Sequence, residues 1–166
     1  MCADIAACFE TYRARVYRWA YALCGQHEDA LDVVQEVFLR MWRRPPELAS
    51  GSATVAWLRR VTSRVVIDLW RAQASRTAAA RRYGSPRGPQ ETPDAGDLVE
   101  RLRTAIESLS EQQRLVLMAK MYDRQTFRQI ADELGIAVPT AKTHYLRALT
   151  AVRERLKSNT AAGRVT

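Results

Sequence analysis

Five side chains able to hydrogen-bond a polyanion cluster late in the chain: Thr140, Lys142, Thr143, His144 and Arg147, directly after Pro139. Hydroxyls and cations of this kind donate to base edges and phosphates. On a helix starting near Pro139, the residues Ala141, Tyr145, Ala148, Leu149, Val152 and Leu156 recur at helical spacing and are expected to face a core. The polar set then points outward, as a major-groove helix requires.

The elements that must position this helix are legible in the preceding residues. The run TFRQIADELGIAVPTAKTHYLRALTAVRERL, residues 126–156, has the spacing of a helix-turn-helix. Ala131 is small where two helices cross, Gly135 can take positive φ at the turn, and Ile130, Leu134 and Ile136 plug the space beneath it. Pro139 suits a first helical turn, where its missing N–H costs nothing. A helical hairpin with a solvated basic face would share the charges, but not the offsets of Ala131, Gly135 and Ile136.

Composition agrees with such a role. The chain has 166 residues, 47% of them hydrophobic, and a formal charge of +8 at pH 7, a balance that suits a phosphate-bearing partner. Only 7 Gly and 6 Pro occur and no alternating strand pattern is present, so an all-α protein is expected. Helices are predicted over Ile5–Leu23, ended by Gly25, over Glu28–Arg44, stopped by Pro45 and Pro46, and over Val55–Ala79 after a loop. The third carries Trp57, Leu58, Val61, Val65 and Leu69 on one side and Arg59, Arg60, Arg64 and Arg71 on the other, and the three helices are expected to close a core by themselves. Residues 83–95 (YGSPRGPQETPDA) are too polar and proline-rich for a core. The expected layout is two small helical domains, 1–80 and 98–157, joined by a flexible linker, 81–97, with a frayed tail, 158–166. Ser110 is the expected N-cap of a helix through Met121.

Other chemistries find little support. Cys2, Cys8 and Cys24 have no metal spacing, and their odd count argues for reduced thiols. No glycine-rich phosphate loop or nucleophile triad is present, so no enzyme activity, metal or cofactor is expected. The absence of a long apolar run predicts no membrane insertion and a cytoplasmic location.

Two segments together resemble the extracytoplasmic-function sigma factors, small initiation subunits of bacterial RNA polymerase. DALDVVQEVFLRMW, residues 29–42, is similar to the family's polymerase-docking helix, and AWLRRVTSRVVIDLWR, residues 56–71, to its promoter-melting helix. LSEQQRLVLM, residues 109–118, with the helix-turn-helix resembles its upstream-recognition domain. The resemblance implies that Asp32, Gln35, Glu36 and Trp42 dock on core polymerase. It implies that Arg60, Ser63, Arg64, Asp68 and Arg71 serve the minus-ten element, with residues 47–52 capturing a flipped base. Lys120, Phe127, Pro139, Thr140, Lys142, Thr143, His144, Leu146 and Arg147 would serve the minus-thirty-five element. It further implies core RNA polymerase and promoter DNA as partners, an anti-sigma factor as regulator, and a monomer when free. The chain departs from the family's commonest pattern at Leu31, Arg64, Pro139 and His144, three of which fall on the promoter-facing positions. The competing reading is an autonomous helix-turn-helix regulator, which would have no need of the acidic and amide face on the second helix.

Overall fold

The computed structural model describes residues 5–46, 51–82 and 93–157, with side chains over 5–46, 51–79 and 98–157. Seven helices account for nearly all of them: α1 Ile5–Cys24, α2 His27–Arg43, α3 Gly51–Arg82, α4 Pro93–Ser108, α5 Glu111–Met121, α6 Phe127–Leu134 and α7 Val138–Lys157. No strand occurs among the described residues. Helices α1–α3 pack on one another, as do α4–α7.

Local chemistry sets most of the boundaries. Gly25, at φ +71°, closes α1 in a left-handed conformation that a Cβ would disfavour. Glu28 and Asp29 open α2 while Arg40 and Arg43 end it, each matching the helix dipole. Ser110 caps α5 as expected and does so through a full capping box with Gln113. Thr126 and Gln129 repeat that box at α6, where the Thr126 N–H donates to Gln129 Oε1 at 2.8 Å. Gly135, at φ +64°, makes the turn between α6 and α7.

Three boundaries differ from expectation. α3 starts at Gly51 rather than Val55 and runs 32 residues to Arg82, beyond Ala79. α4 starts at Pro93 rather than Asp97, proline being well suited to a first helical position. The expected linker therefore gives up residues 81–82 and 93–97 to helices, and its remainder, 83–92, lies outside the described residues, as does the expected tail, 158–166.

The first three helices do not close their core alone. Trp19, Val33, Val37, Phe38, Leu58 and Val66 share one buried cluster with Ile106 of α4 and Met118 of α5. Burying such a side chain contributes roughly 2 kcal/mol, more than the ~0–1 kcal/mol of a surface ion pair. Apolar contact therefore outweighs the exposed ion pairs where the two groups of helices meet. A second, smaller cluster of Val116, Ala119, Ile130, Ala131 and Ala141 lies beneath the helix-turn-helix, with Leu134, Ile136 and Tyr145 against it. Leu149, expected in that core, is 38% exposed, while Ala148 beside it is buried.

Cys8 is disulfide-bonded, a correction to the reduced thiols expected: an odd count forbids complete pairing, not a single bridge. Cys24 is free and buried. Burial, helped by Asp29, pushes its thiol from 9.0 up to about 12. Its neutral form favours the fold, so this contribution is whole below pH 9 and fades as pH rises from 9 towards 12. At pH 8, mass-resolved iodoacetamide labelling of Cys24 is expected to be slow in the native chain and fast in urea; rapid native labelling would contradict the burial described. Gly135→Ala meets no atom within 4 Å, so its cost is the backbone conformation alone. We expect about 1 kcal/mol of destabilisation in urea titrations, and less for Gly135→Asn.

Candidate nucleic-acid interface

The start of α7 presents Pro139, Thr140, Lys142, Thr143 and Arg147 to solvent, and Leu146 is 62% exposed. The Thr143 hydroxyl donates to the Pro139 carbonyl at 2.9 Å, so its lone pairs remain open as acceptors. His144 is not fully outward: the ring is half-buried, and its Nδ1 is buried without a hydrogen-bond partner. It sits next to Tyr145 on the flank of the core rather than on the crest of the helix, which corrects its expected place in the outward row. Lys120 and Phe127 come together, the ammonium 4.8 Å from the ring centroid and donating to the Gln125 carbonyl at 3.0 Å. Phe127 meets Tyr145 edge to face at 5.6 Å, so this pair ties α5, α6 and α7 together at the edge of the exposed row.

On α3, Arg60, Arg64, Asp68 and Arg71 form one stripe at helical spacing, and all are at least part-exposed. Ser63 does not join them: it is 1% exposed and accepts a hydrogen bond from Arg114 Nε at 3.3 Å. The stripe is already engaged by carboxylates. Glu111 lies 3.7 Å from Arg60 and 3.0 Å from Arg64, and Glu107 lies 3.3 Å from Arg71. Of the expected base-capturing loop, residues 47–50 lie outside the described residues, and Gly51 and Ser52 belong to the first turn of α3.

On α2, Asp32 and Gln35 are exposed, Glu36 is half-buried, and Trp42 is 67% exposed, a large apolar area to leave in water. Arg40 bridges two helices, donating to Glu36 at 2.8 Å and to Asp68 of α3 at 3.3 Å. Burial opposes its charge most strongly of any single cause, but the hydrogen bonds and negative charges of Glu36 and Asp68 together raise its pKa. Asp32, Glu36, Arg40 and Asp68 line a cleft of about 260 Å³ floored by Val33, Val65 and Leu69. Sequence reasoning left Arg40 without a role; its i, i+4 spacing from Glu36 was the available signal.

Sequence reasoning also missed Arg59, expected on the outward side of α3 and found 1% exposed. Its guanidinium donates to Asp123 at 3.1 Å, pairs with Glu133, and lies 5.2 Å from the Trp19 ring. The signal was present in Val66, Ile67 and Trp70, which are apolar yet off the single stripe first assigned. With Arg59, Thr62 and Ser63 they give α3 a second buried face.

The chain compares closely with known proteins. Residues 8–76 match Sigma-70 region 2, and residues 99–152 match Sigma-70, region 4. It is 32% identical to the ECF RNA polymerase sigma factor SigL of Mycobacterium tuberculosis (strain ATCC 25618 / H37Rv), over 91% of this chain and 88% of SigL. With SigW of Bacillus subtilis (strain 168) the identity is 24%, over 89% and 86% of the two chains. Among solved structures, the sigma factor RpoE from Bartonella quintana, determined in complex with the anti-sigma factor NepR, is similar with a TM-score of 0.55. That similarity comes at 21% identity and covers 94% of this chain and 98% of that one, and it speaks for the fold. With both sigma-70 regions present in order and a relative matched nearly end to end, the chain belongs to the ECF RNA polymerase sigma factors.

Proposed function

We propose a division of labour within this sigma factor, in which α2 docks on core RNA polymerase, α3 reads and helps open the minus-ten element, and α7 reads the minus-thirty-five element. The observation that carries it is the face of α2: Asp32, Gln35 and Glu36 with a 67% exposed Trp42, on a chain of net charge +8. An acidic and amide face on a basic protein repels DNA and suits a protein partner. Arg60, Arg64 and Arg71 supply phosphate contacts from α3, while Thr140, Lys142, Thr143 and Arg147 supply base and phosphate contacts from α7. Lys120 and Phe127 hold the edge of that surface.

The domains so defined are 1–80 and 98–157. The chain acts without catalysis of its own, in the cytoplasm, as a monomer when free; no described helix is long and apolar enough to cross a membrane. An anti-sigma factor is the proposed regulator, by analogy with the Bartonella RpoE complex. An autonomous regulator would leave the α2 face without a purpose.

Added to core RNA polymerase, the chain is expected to yield promoter-specific transcripts; binding to DNA without binding to core would overturn the assignment. Gln35→Ala with Glu36→Ala should lower core affinity at least tenfold, read by co-purification, and leave the circular dichroism melt nearly unchanged. Arg147→Ala should weaken promoter-dependent transcription and spare core binding. Equal loss of both by either variant would contradict the division of labour.

A further inference from the structure

We propose that the free chain locks itself shut, with α4–α6 lying across the basic stripe of α3 and the buried Arg59 fastening them there through Asp123 and Glu133. Four observations on different side chains agree. Arg59 is 1% exposed, and its two carboxylate partners, 10% and 7% exposed, both come from the far side of the chain, Asp123 from the turn after α5 and Glu133 from α6. Asp123 is held from the α1 side as well, by Trp19 Nε1 at 3.2 Å and Arg15 at 4.0 Å, while Gln125 supports Glu133 at 2.9 Å. Ile106 and Met118 are buried in the same apolar cluster as the α1–α3 core. Further along α3, Arg103 stacks 5.2 Å from Trp70 and hydrogen-bonds Gln73.

The consequence for DNA follows from Glu107 and Glu111. Their carboxylates stand against Arg60, Arg64 and Arg71, where backbone phosphates would have to bind. Closure and DNA therefore compete for the same cations, and the apparent affinity of the closed chain is reduced by the fraction that is open. The competition rests on the minus-ten role proposed for α3; the closure stands on the buried contacts alone.

The test uses the full chain in two double variants, Asp123→Asn with Glu133→Gln, which unfastens Arg59, and Glu107→Gln with Glu111→Gln, which frees the stripe at part-exposed positions and keeps the fold. A charge-matched control replaces the exposed Glu28 and Asp132 with Gln and Asn. Small-angle scattering should show a larger radius of gyration for the first variant than for wild type or control. Binding of a mixed-sequence 30-base-pair duplex at fixed salt should tighten for both variants beyond the control, by about tenfold if the wild type is roughly nine-tenths closed. Unchanged radius together with control-level binding in both variants overturns the proposal. A larger radius without tighter binding overturns the competition. In that event, Arg64→Ala with Arg71→Ala in the opened chain separates the causes: a further loss of binding upholds the role of α3, and no loss removes it.

Discussion

A guanidinium without solvent must have its charge answered by neighbouring groups, and for Arg59 that requirement fixes much of the molecule. The partners come from residues 64 and 74 positions further along the chain, so one side chain on α3 ties both the turn after α5 and α6 to it. Breaking such a buried pair costs about 3–5 kcal/mol, whereas the exposed pairs around it contribute roughly 0–1 kcal/mol each. The turn that carries Asp123 bears some of the cost: Arg124 takes φ +52°, a left-handed conformation unusual for a residue with a long side chain. Trp19 completes the arrangement by offering both a ring face to Arg59 and an indole N–H to Asp123.

Sequence periodicity located what depends on neighbours within one helix or one turn. Gly135 at positive φ, Ala131 at the helix crossing, Ser110 as a cap and the acidic start of α2 are local matters, and residues a few positions apart determine them. Contacts between distant helices were less legible. A single apolar stripe was expected on α3, but two faces are buried, because a second set of helices covers what would otherwise be its solvent side. Ser63 was misplaced for that reason, and so was Arg59. His144 was misjudged because its place on the helix is the flank of the core, where a side chain is half-buried even when it is polar. The early start of α3 at Gly51 shows the weakness of compositional loop assignment: Gly, Ser and Thr discourage helix interiors on average yet form a first turn when the following residues are strongly helical.

The surfaces proposed to meet polymerase and DNA are mechanically close. Arg40 joins Glu36 of α2 to Asp68 of α3, so a proposed docking residue and a proposed promoter residue share one guanidinium above a common cleft. The two proposed surfaces thus lie on adjacent turns of two packed helices instead of on separate loops, which limits how far either can move without the other. The helix-turn-helix differs: its core is small, its buried residues largely alanine, and its turns are secured by two capping boxes and the contacts of Phe127 with Lys120 and Tyr145.

The 32-residue α3 is also a rod about 48 Å long. It is clamped on several sides as far as Gln73, while residues 74–79 are all exposed and stand beyond the core. A rod held along one part works as a lever: a tilt of about 5° about its midpoint sweeps the free end through roughly 2 Å, given that length. Any partner that presses on α2 thereby acquires a mechanical advantage over the point where the chain leaves α3, even though it never touches that point.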